Sequence, residues 1–361
     1  MAVRPGTAFS GAFAVGGGPN RLLRAFLWAA AAGESLIGVR DLLAGYPPFV
    51  DIEIPLRAAE RWLAGGQPYL ASAFEATPGY DLPFLYPPFV LPLVAPLTFL
   101  PREVVFLAWL ALCVGTALWT VRRCGVPWAV APLLLLWPPF AEAILGGNVQ
   151  LLLVGAFVAL FFGRSVRPWT PVPRDPAAAG RPAVVDGVLG AAIPAFKLSQ
   201  PHAWVALLRR RPEAALAGFG VFVALALVTL PSVGIDAWVA WVEQLQRAGD
   251  PAWSIAGASL ASGMPAFVGL AIAAGTVLLC LVVPVPRLGA WTGILTVIGA
   301  PSLRMFGVLF ALPAMLTVRR EAALLAAALI ATYTLQGLWM GLFLVLGTLL
   351  AAERYPTLRE P

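Results

Sequence analysis

Lys197 and His202 are the only lysine and the only histidine of the chain, and both lie in one apolar stretch, Gly190 to Trp204. Every other cation among the 24 basic residues is arginine, so these two depart from the chain's own habit. An ammonium or an imidazole at membrane depth is costly to hold there, and such residues mark substrate sites, ion paths and counter-ions. The chemistry on offer is positive charge presented to an anion. The plainer reading is two helix-end residues snorkelling to an interface. Pro194 and Pro201 flank Lys197. Neither has a backbone N–H to give a helix ladder, so the segment is expected to be a broken helix. Broken helices at membrane depth occur only inside protein or beside a wet cavity.

Acids that could answer these cations gather earlier. Asp51, Glu53, Glu60, Glu75 and Asp81 crowd the stretch after the first apolar run. Asp51 follows Tyr46-Pro47-Pro48-Phe49-Val50. Beside an apolar phase, desolvation favours the neutral carboxyl and makes the carboxylate a better base. The same position suits an N-cap that accepts backbone N–H bonds, and the residues alone leave both readings open. Gly65-Gly66-Gln67-Pro68-Tyr69 reads as a turn closing a helix. Phe84-Leu85-Tyr86-Pro87-Pro88-Phe89 reads as a helix start, where proline is favoured. Gly146-Gly147-Asn148-Val149-Gln150 interrupts two apolar runs with two amides, which could bond a sugar hydroxyl or another helix. Glu34 and Glu142 are further acids inside apolar stretches, each able to pair with an arginine or to sit at a helix end. Cys113, Cys124 and Cys280 have neither zinc spacing nor an even count. With one histidine and scattered acids there is no obvious metal cage, so neither metal nor cofactor is expected.

These residues must be carried by membrane helices. The 361 residues are 60% hydrophobic and 12% charged, too apolar and too little charged for a soluble domain. Near-uniform runs of Leu, Ala, Val and Phe recur from end to end, as in a polytopic membrane protein. The net charge of +6 does not indicate nucleic acid, because the arginines stand singly or in short clusters between apolar runs. Candidate spans lie near 22–44, 85–100, 104–121, 127–145, 149–163, 186–208, 213–231, 262–283, 288–318 and 321–352. The last two are long enough for two short crossings each, which suggests about ten to twelve passes. Residues 1–20 read as a disordered cytoplasmic tail without a signal-peptide core, 21–354 as one membrane domain, and 355–361 as a second tail.

Arginine clusters at Arg21 and Arg24, Arg164 to Arg181, Arg209 to Arg211, Arg319 with Arg320, and Arg354 place the N-terminus and these loops in the cytoplasm. Only 27 residues separate Arg181 from Arg209, too few to leave and return across a full bilayer. Lys197 is therefore expected at the tip of a short hairpin, and Pro301 to Arg304 at the tip of another between Arg287 and Arg319. One conflict stands: five apolar segments lie between Arg24 and Arg164, although both ends should share a side. Either 127–145, with its four prolines, does not cross fully or one cluster is misplaced. Two outer loops, about 45–85 and 232–262, each hold an amphipathic stretch, Ile54 to Leu63 and Ala237 to Leu245. Such helices lie in the interface, anchored by tryptophan.

Taken in order, the motifs resemble glycosyltransferase family 87, the polyprenyl-phosphate-mannose-dependent membrane group that includes PimE-type mannosyltransferases. Members look like an acid after the first span, a helix ending Gly-Gly-x-Pro-Tyr, then Tyr-Pro-Pro at the second span. Here these are Asp51, Gly65 to Tyr69, and Tyr86-Pro87-Pro88. The family's Gly-Gln-x-Asn element reads Gly147-Asn148-Val149-Gln150 here, with the amides exchanged. Lys-x-x-x-Pro before a basic cluster reads Lys197 to Pro201 and Arg209 to Arg211. After Pro231 the likeness thins to Ala256-Gly257-Ala258-Ser259-Leu260 and to Ala300 to Phe306, which lacks the family's Trp and His. The resemblance implies a GT-C-type bundle and inverting transfer of a hexose, mannose foremost, from a polyprenyl-phosphate donor. The acceptor would be a hydroxyl of a glycolipid or glycan at the outer face of a bacterial inner membrane. Asp51 would be the general base. Lys197, His202, Arg304 and Arg57 would face the donor phosphate, where cations stabilise developing charge. Tyr69, Tyr86, Asn148, Gln150 and Gln200 would line the substrate. The rival class is a transporter or flippase for a lipid-linked or small solute, since charged residues on broken helices suit that equally. It is weakened by the lack of internal repeats. A non-catalytic assembly subunit, with Asp51 only a cap, is the third reading.

Overall fold

The computed structural model describes residues 20–70, 83–162, 180–248, 259–261, 264–301 and 303–354. The two tails, Glu75, Asp81, Arg164, Arg167 and Arg174 lie outside the described residues. The elements are helical throughout, and the chain is an all-α polytopic membrane protein. In chain order the α-helices are α1 (Asn20–Gly45), α2 (Val50–Leu63), α3 (Val90–Val94), α4 (Arg102–Arg123), α5 (Ala131–Leu134), α6 (Pro138–Gly146), α7 (Gln150–Phe161), α8 (Ala183–Phe196), α9 (His202–Arg210), α10 (Pro212–Val233), α11 (Ile235–Ala248), α12 (Ala266–Leu279), α13 (Leu288–Ile298), α14 (Leu312–Met315), α15 (Arg320–Ala331) and α16 (Leu335–Arg354).

Four apolar runs among the described residues are long enough to cross a membrane: the one that begins in α1 and reads on through α2, then α4, α10 and α16. At 1.5 Å per residue the 26 residues of α1 span about 39 Å, more than the roughly 30 Å hydrocarbon core. α4 shows how such a helix is bounded. Glu103 opens it and Arg122 and Arg123 close it, each charge set against the matching end of the helix dipole. The two guanidiniums lie over the Trp128 and Trp119 rings at 4.8 and 5.7 Å, a cationic and aromatic anchor at one end. Outward faces stay apolar: Leu107, Phe219, Leu227, Val228, Phe267 and Leu270 are all exposed, as lipid-facing side chains should be.

The remaining apolar helices are short, and among them α7 and α13 form the interior. Phe157, Phe161, Phe310 and Ile294 are fully buried there, with Phe157 edge-on to Phe310 at 5.3 Å. Small residues let backbones meet. A Cβ on Gly187 would collide with the Ala214 carbonyl, so α8 and α10 cross in contact. The expected broken helix is present: α8 stops at Phe196, Lys197 to Pro201 turn, and α9 begins at His202. Its base is stitched shut. Buried Asp186 bonds Arg181 at 2.8 Å and Arg211 at 2.7 Å, so both ends of the hairpin meet and Lys197 lies at its tip.

Segment 127–145 is not a spanning helix, since α5 and α6 hold only four and nine residues. Segments 288–318 and 321–352 each divide in two, the first at Gly299 to Arg304 and the second at Thr332 to Thr334, where α15 turns back along α16. Both amphipathic stretches are helices, α2 and α11. Pro55 is the sixth residue of α2, past its first turn, and has no N–H to give the Asp51 carbonyl.

Candidate functional site

The site begins with how α2 starts. Phe49 takes φ 60°, a left-handed conformation rare for an aromatic residue, and it precedes the helix as its N-cap residue without a side-chain bond. Two contacts compel it. Its N–H donates to the Leu145 carbonyl at 2.7 Å, and its ring stacks on Phe106 at 4.7 Å. Strain of this kind persists where surrounding structure over-determines it, often at functional sites. The consequence is that Asp51 is not the cap. It lies inside the first turn, near the positive end of the helix dipole, with its carboxylate turned to the α6–α7 junction.

There it meets two donors. Asn148 Nδ2 donates to Asp51 Oδ2 at 2.8 Å, and the Tyr46 hydroxyl donates to the same oxygen at 3.4 Å. The Gln150 N–H donates to Asn148 Oδ1 at 2.8 Å, which fixes the amide so that its NH2 faces Asp51. Glycine is required at this junction. Gly147 has φ 67°, and its carbonyl accepts from Trp109 Nε1 at 2.7 Å. A Cβ on Gly146 would fall 2.7 Å from Asp51 Oδ2, so only glycine lets the carboxylate approach.

Opposite stand the cations. Lys197 Nζ lies 4.8 Å from the centre of the Phe306 ring. Burial draws the Lys197 ammonium down to about 8, while Asp51 and Glu142 act to keep it charged. Arg304 precedes the 3-10 turn that carries Phe306 and is exposed. Its charge acts on Tyr46, Asp51, Glu142 and Tyr333 together. Asp51, Lys197 and Arg304, far apart in sequence, thus form one cluster.

Glu142, Tyr46 and Tyr333 complete it. Glu142 is buried on α6, where the Tyr333 hydroxyl and the Phe306 N–H bond its carboxylate. Burial pushes that carboxyl up to about 7, and Arg304 opposes the rise. Tyr333 takes φ 57°, the second strained non-glycine residue among those described, and like Phe49 it borders the cluster. Only the strained turns would have flagged Phe49 and Tyr333, and a positive φ is not visible in sequence.

The other predicted site residues separate. Tyr86 lies within reach of Asp51's charge and packs edge-on to Phe196, next to Lys197. Tyr69 supports it: its hydroxyl donates to the Tyr86 carbonyl at 2.8 Å. Trp241 on α11 donates to the Leu85 carbonyl at 3.0 Å, so this helix holds the same stretch. The Gln200 N–H closes the hairpin turn onto the Lys197 carbonyl at 2.9 Å, and its side-chain oxygen is buried without a partner. Gln150 is fully buried, and neither of its side-chain amide atoms has a partner. His202 is not brought to the cluster. Its Nε2 is 3.0 Å from Thr276 Oγ1, and burial lowers it to about 4, so it is a neutral ring joining α9 to α12. Arg57 bonds Glu53 at 2.9 Å, and six residues at roughly 100° each set it about 120° round α2 from Asp51. Among the described residues no group of three or more His, Cys, Asp or Glu is placed to hold a metal ion.

What the cluster can do is bounded. One oriented carboxylate can accept a proton, and two cations can receive an anion. The model of glycosyltransferase family 87 matches residues 84–285. No curated protein and no solved structure matches the chain.

Proposed function

Since the chain belongs to glycosyltransferase family 87, whose model spans more than half its length, and is a membrane glycosyltransferase, we propose that the Asp51 cluster transfers a hexose from a polyprenyl-phosphate donor. Mannose is the sugar we expect, and the acceptor is a hydroxyl of a glycolipid or glycan. The proposed setting is the outer face of a bacterial inner membrane, with the N-terminus in the cytoplasm and the loop around 45–85 forming the catalytic face.

One observation carries this reading: a carboxylate fixed by Asn148 and Tyr46 faces Lys197 and Arg304 in one cluster. The acceptor O–H gives its proton to Asp51 as its oxygen bonds the anomeric carbon. The bond from that carbon to the phosphate oxygen breaks on the opposite face, which inverts the configuration. The electron pair leaves with the phosphate, which gains one negative charge. Lys197 and Arg304 receive that charge, and preorganised cations at developing charge are a principal source of catalysis. The phosphate needs little acid help to leave. Tyr86 offers a ring beside Asp51 on which a sugar can rest. His202 and Arg57 have no part in this scheme.

The purified protein should be given radiolabelled polyprenyl-phosphate mannose, glucose or arabinose with membrane glycolipid acceptors. Transfer from at least one donor is expected. Failure with all three would sink the reaction proposed and favour a carrier or an assembly subunit.

A further inference from the structure

Glu142 takes no part in the transfer just described, yet it sits at the centre of the cluster. It is 2% exposed, and its Oε2 is buried without a hydrogen-bond partner. Through the Phe306 N–H it holds the backbone of the loop that carries both Arg304 and the ring beneath Lys197. It therefore helps to place the loop of Arg304 and, through the Phe306 ring, Lys197.

Charge counting adds a second demand. Without donor, two carboxylates face two cations, and the cluster is balanced. A phosphodiester donor brings one further negative charge. In a site this dry, an uncompensated carboxylate is expensive, and the group tends to neutralise instead. Asp51 must stay ionised to act as base, so Glu142 is the group free to take a proton. Tyr333 can hold the protonated form, because its hydroxyl oxygen can accept as well as donate.

Resting on the reading of Lys197 and Arg304 as the phosphate-facing cations, we infer that Glu142 is a positioning residue that binds the Arg304–Phe306 loop and takes up one proton as the donor phosphate brings its charge to Arg304 and Lys197. The groups facing Glu142 are Asp51 and Tyr46 from the α1–α2 side, Lys197 from the hairpin tip, Arg304 from its loop and Tyr333 from the α15–α16 turn. α4 and the α6–α7 junction present neutral groups here, Trp109 and Asn148. Between pH 5.5 and 7.5 Lys197 stays mostly charged and a phosphodiester does not titrate. Donor binding should then weaken as pH rises. With the free carboxyl near 7, the loss across that range is about fourfold.

The test is the Kd of the radiolabelled polyprenyl-phosphate sugar that binds best among mannose, glucose and arabinose, measured with the full chain at pH 5.5 and 7.5. The wild type is expected to show the fourfold loss. Glu142→Gln, which preserves the bonds to the loop, should bind equally at both values, as tightly as wild type at pH 5.5. A mere structural brace would not move the pH profile. A flat wild-type profile, or an unchanged slope in Glu142→Gln, overturns the inference. If Lys197→Met weakens binding about tenfold while the slope persists in Glu142→Gln, this inference alone falls. If Lys197→Met leaves the Kd unchanged, or none of the three donors binds, the phosphate site falls and takes the inference with it.

Discussion

Asp51→Asn should lower kcat by about three orders of magnitude while leaving the protein folded and its donor affinity intact. General bases contribute typically 10²–10⁴ in rate, and Asp51 is the carboxylate that Asn148 and the Tyr46 hydroxyl orient in the cluster. The asparagine keeps size and an acceptor for Asn148 Nδ2, so the α6–α7 junction should hold. Its amide cannot accept the acceptor's proton. Removing a negative charge from beside the phosphate would, if anything, tighten donor binding. A fall in kcat with KM unchanged or lower therefore separates loss of the base from damage to the fold. Steady-state kinetics on wild type and variant decide it. Wild-type kcat in Asp51→Asn would end the general-base role.

Lys197→Met is the second large effect. Methionine fills the same half-buried turn without charge. Loss of one preorganised group at developing charge costs about 10²–10³ in rate, so kcat/KM is expected to fall by about 10². Lys197 is charged below its pKa. Burial holds that pKa to about 8, so wild-type kcat/KM should decline as pH rises through that value. Lys197→Arg, always charged, should keep part of the activity and carry it to higher pH. A methionine variant with unaltered kinetics would mean that Lys197 only packs against Phe306.

Much of the helix plan was legible because membrane helices announce themselves by long apolar runs and arginine ends. The break at Lys197 was legible from Pro194 and Pro201, since proline's missing N–H acts locally. The helices α2 and α11 were legible from their mix of charged residues, apolar residues and tryptophan. Asp51 was legible as an acid after the first span, but base and cap could not be separated. Phe49 separates them, and its backbone conformation is imposed by Leu145 and Phe106 from other helices. Glu142 was visible only as an acid in an apolar stretch. Its meeting with Tyr333 and Phe306 depends on how α6, the Arg304 loop and the α15–α16 turn converge, which no local pattern encodes. His202 shows the reverse. Its rarity drew attention, yet Thr276 and burial make it a neutral packing residue. Rarity marks cost, and cost is met by structure as readily as by function.

The central claim is that a donor phosphate sits between Lys197 and Arg304 with Asp51 facing the sugar. Cryo-electron microscopy of Asp51→Asn, slowed so that the donor persists, with polyprenyl-phosphate mannose would test it most directly. Phosphate density within hydrogen-bond distance of Lys197 Nζ and the Arg304 guanidinium, with the anomeric carbon toward residue 51, is the predicted result. Phosphate bound elsewhere, with Lys197 still resting on Phe306 and unengaged, would contradict it.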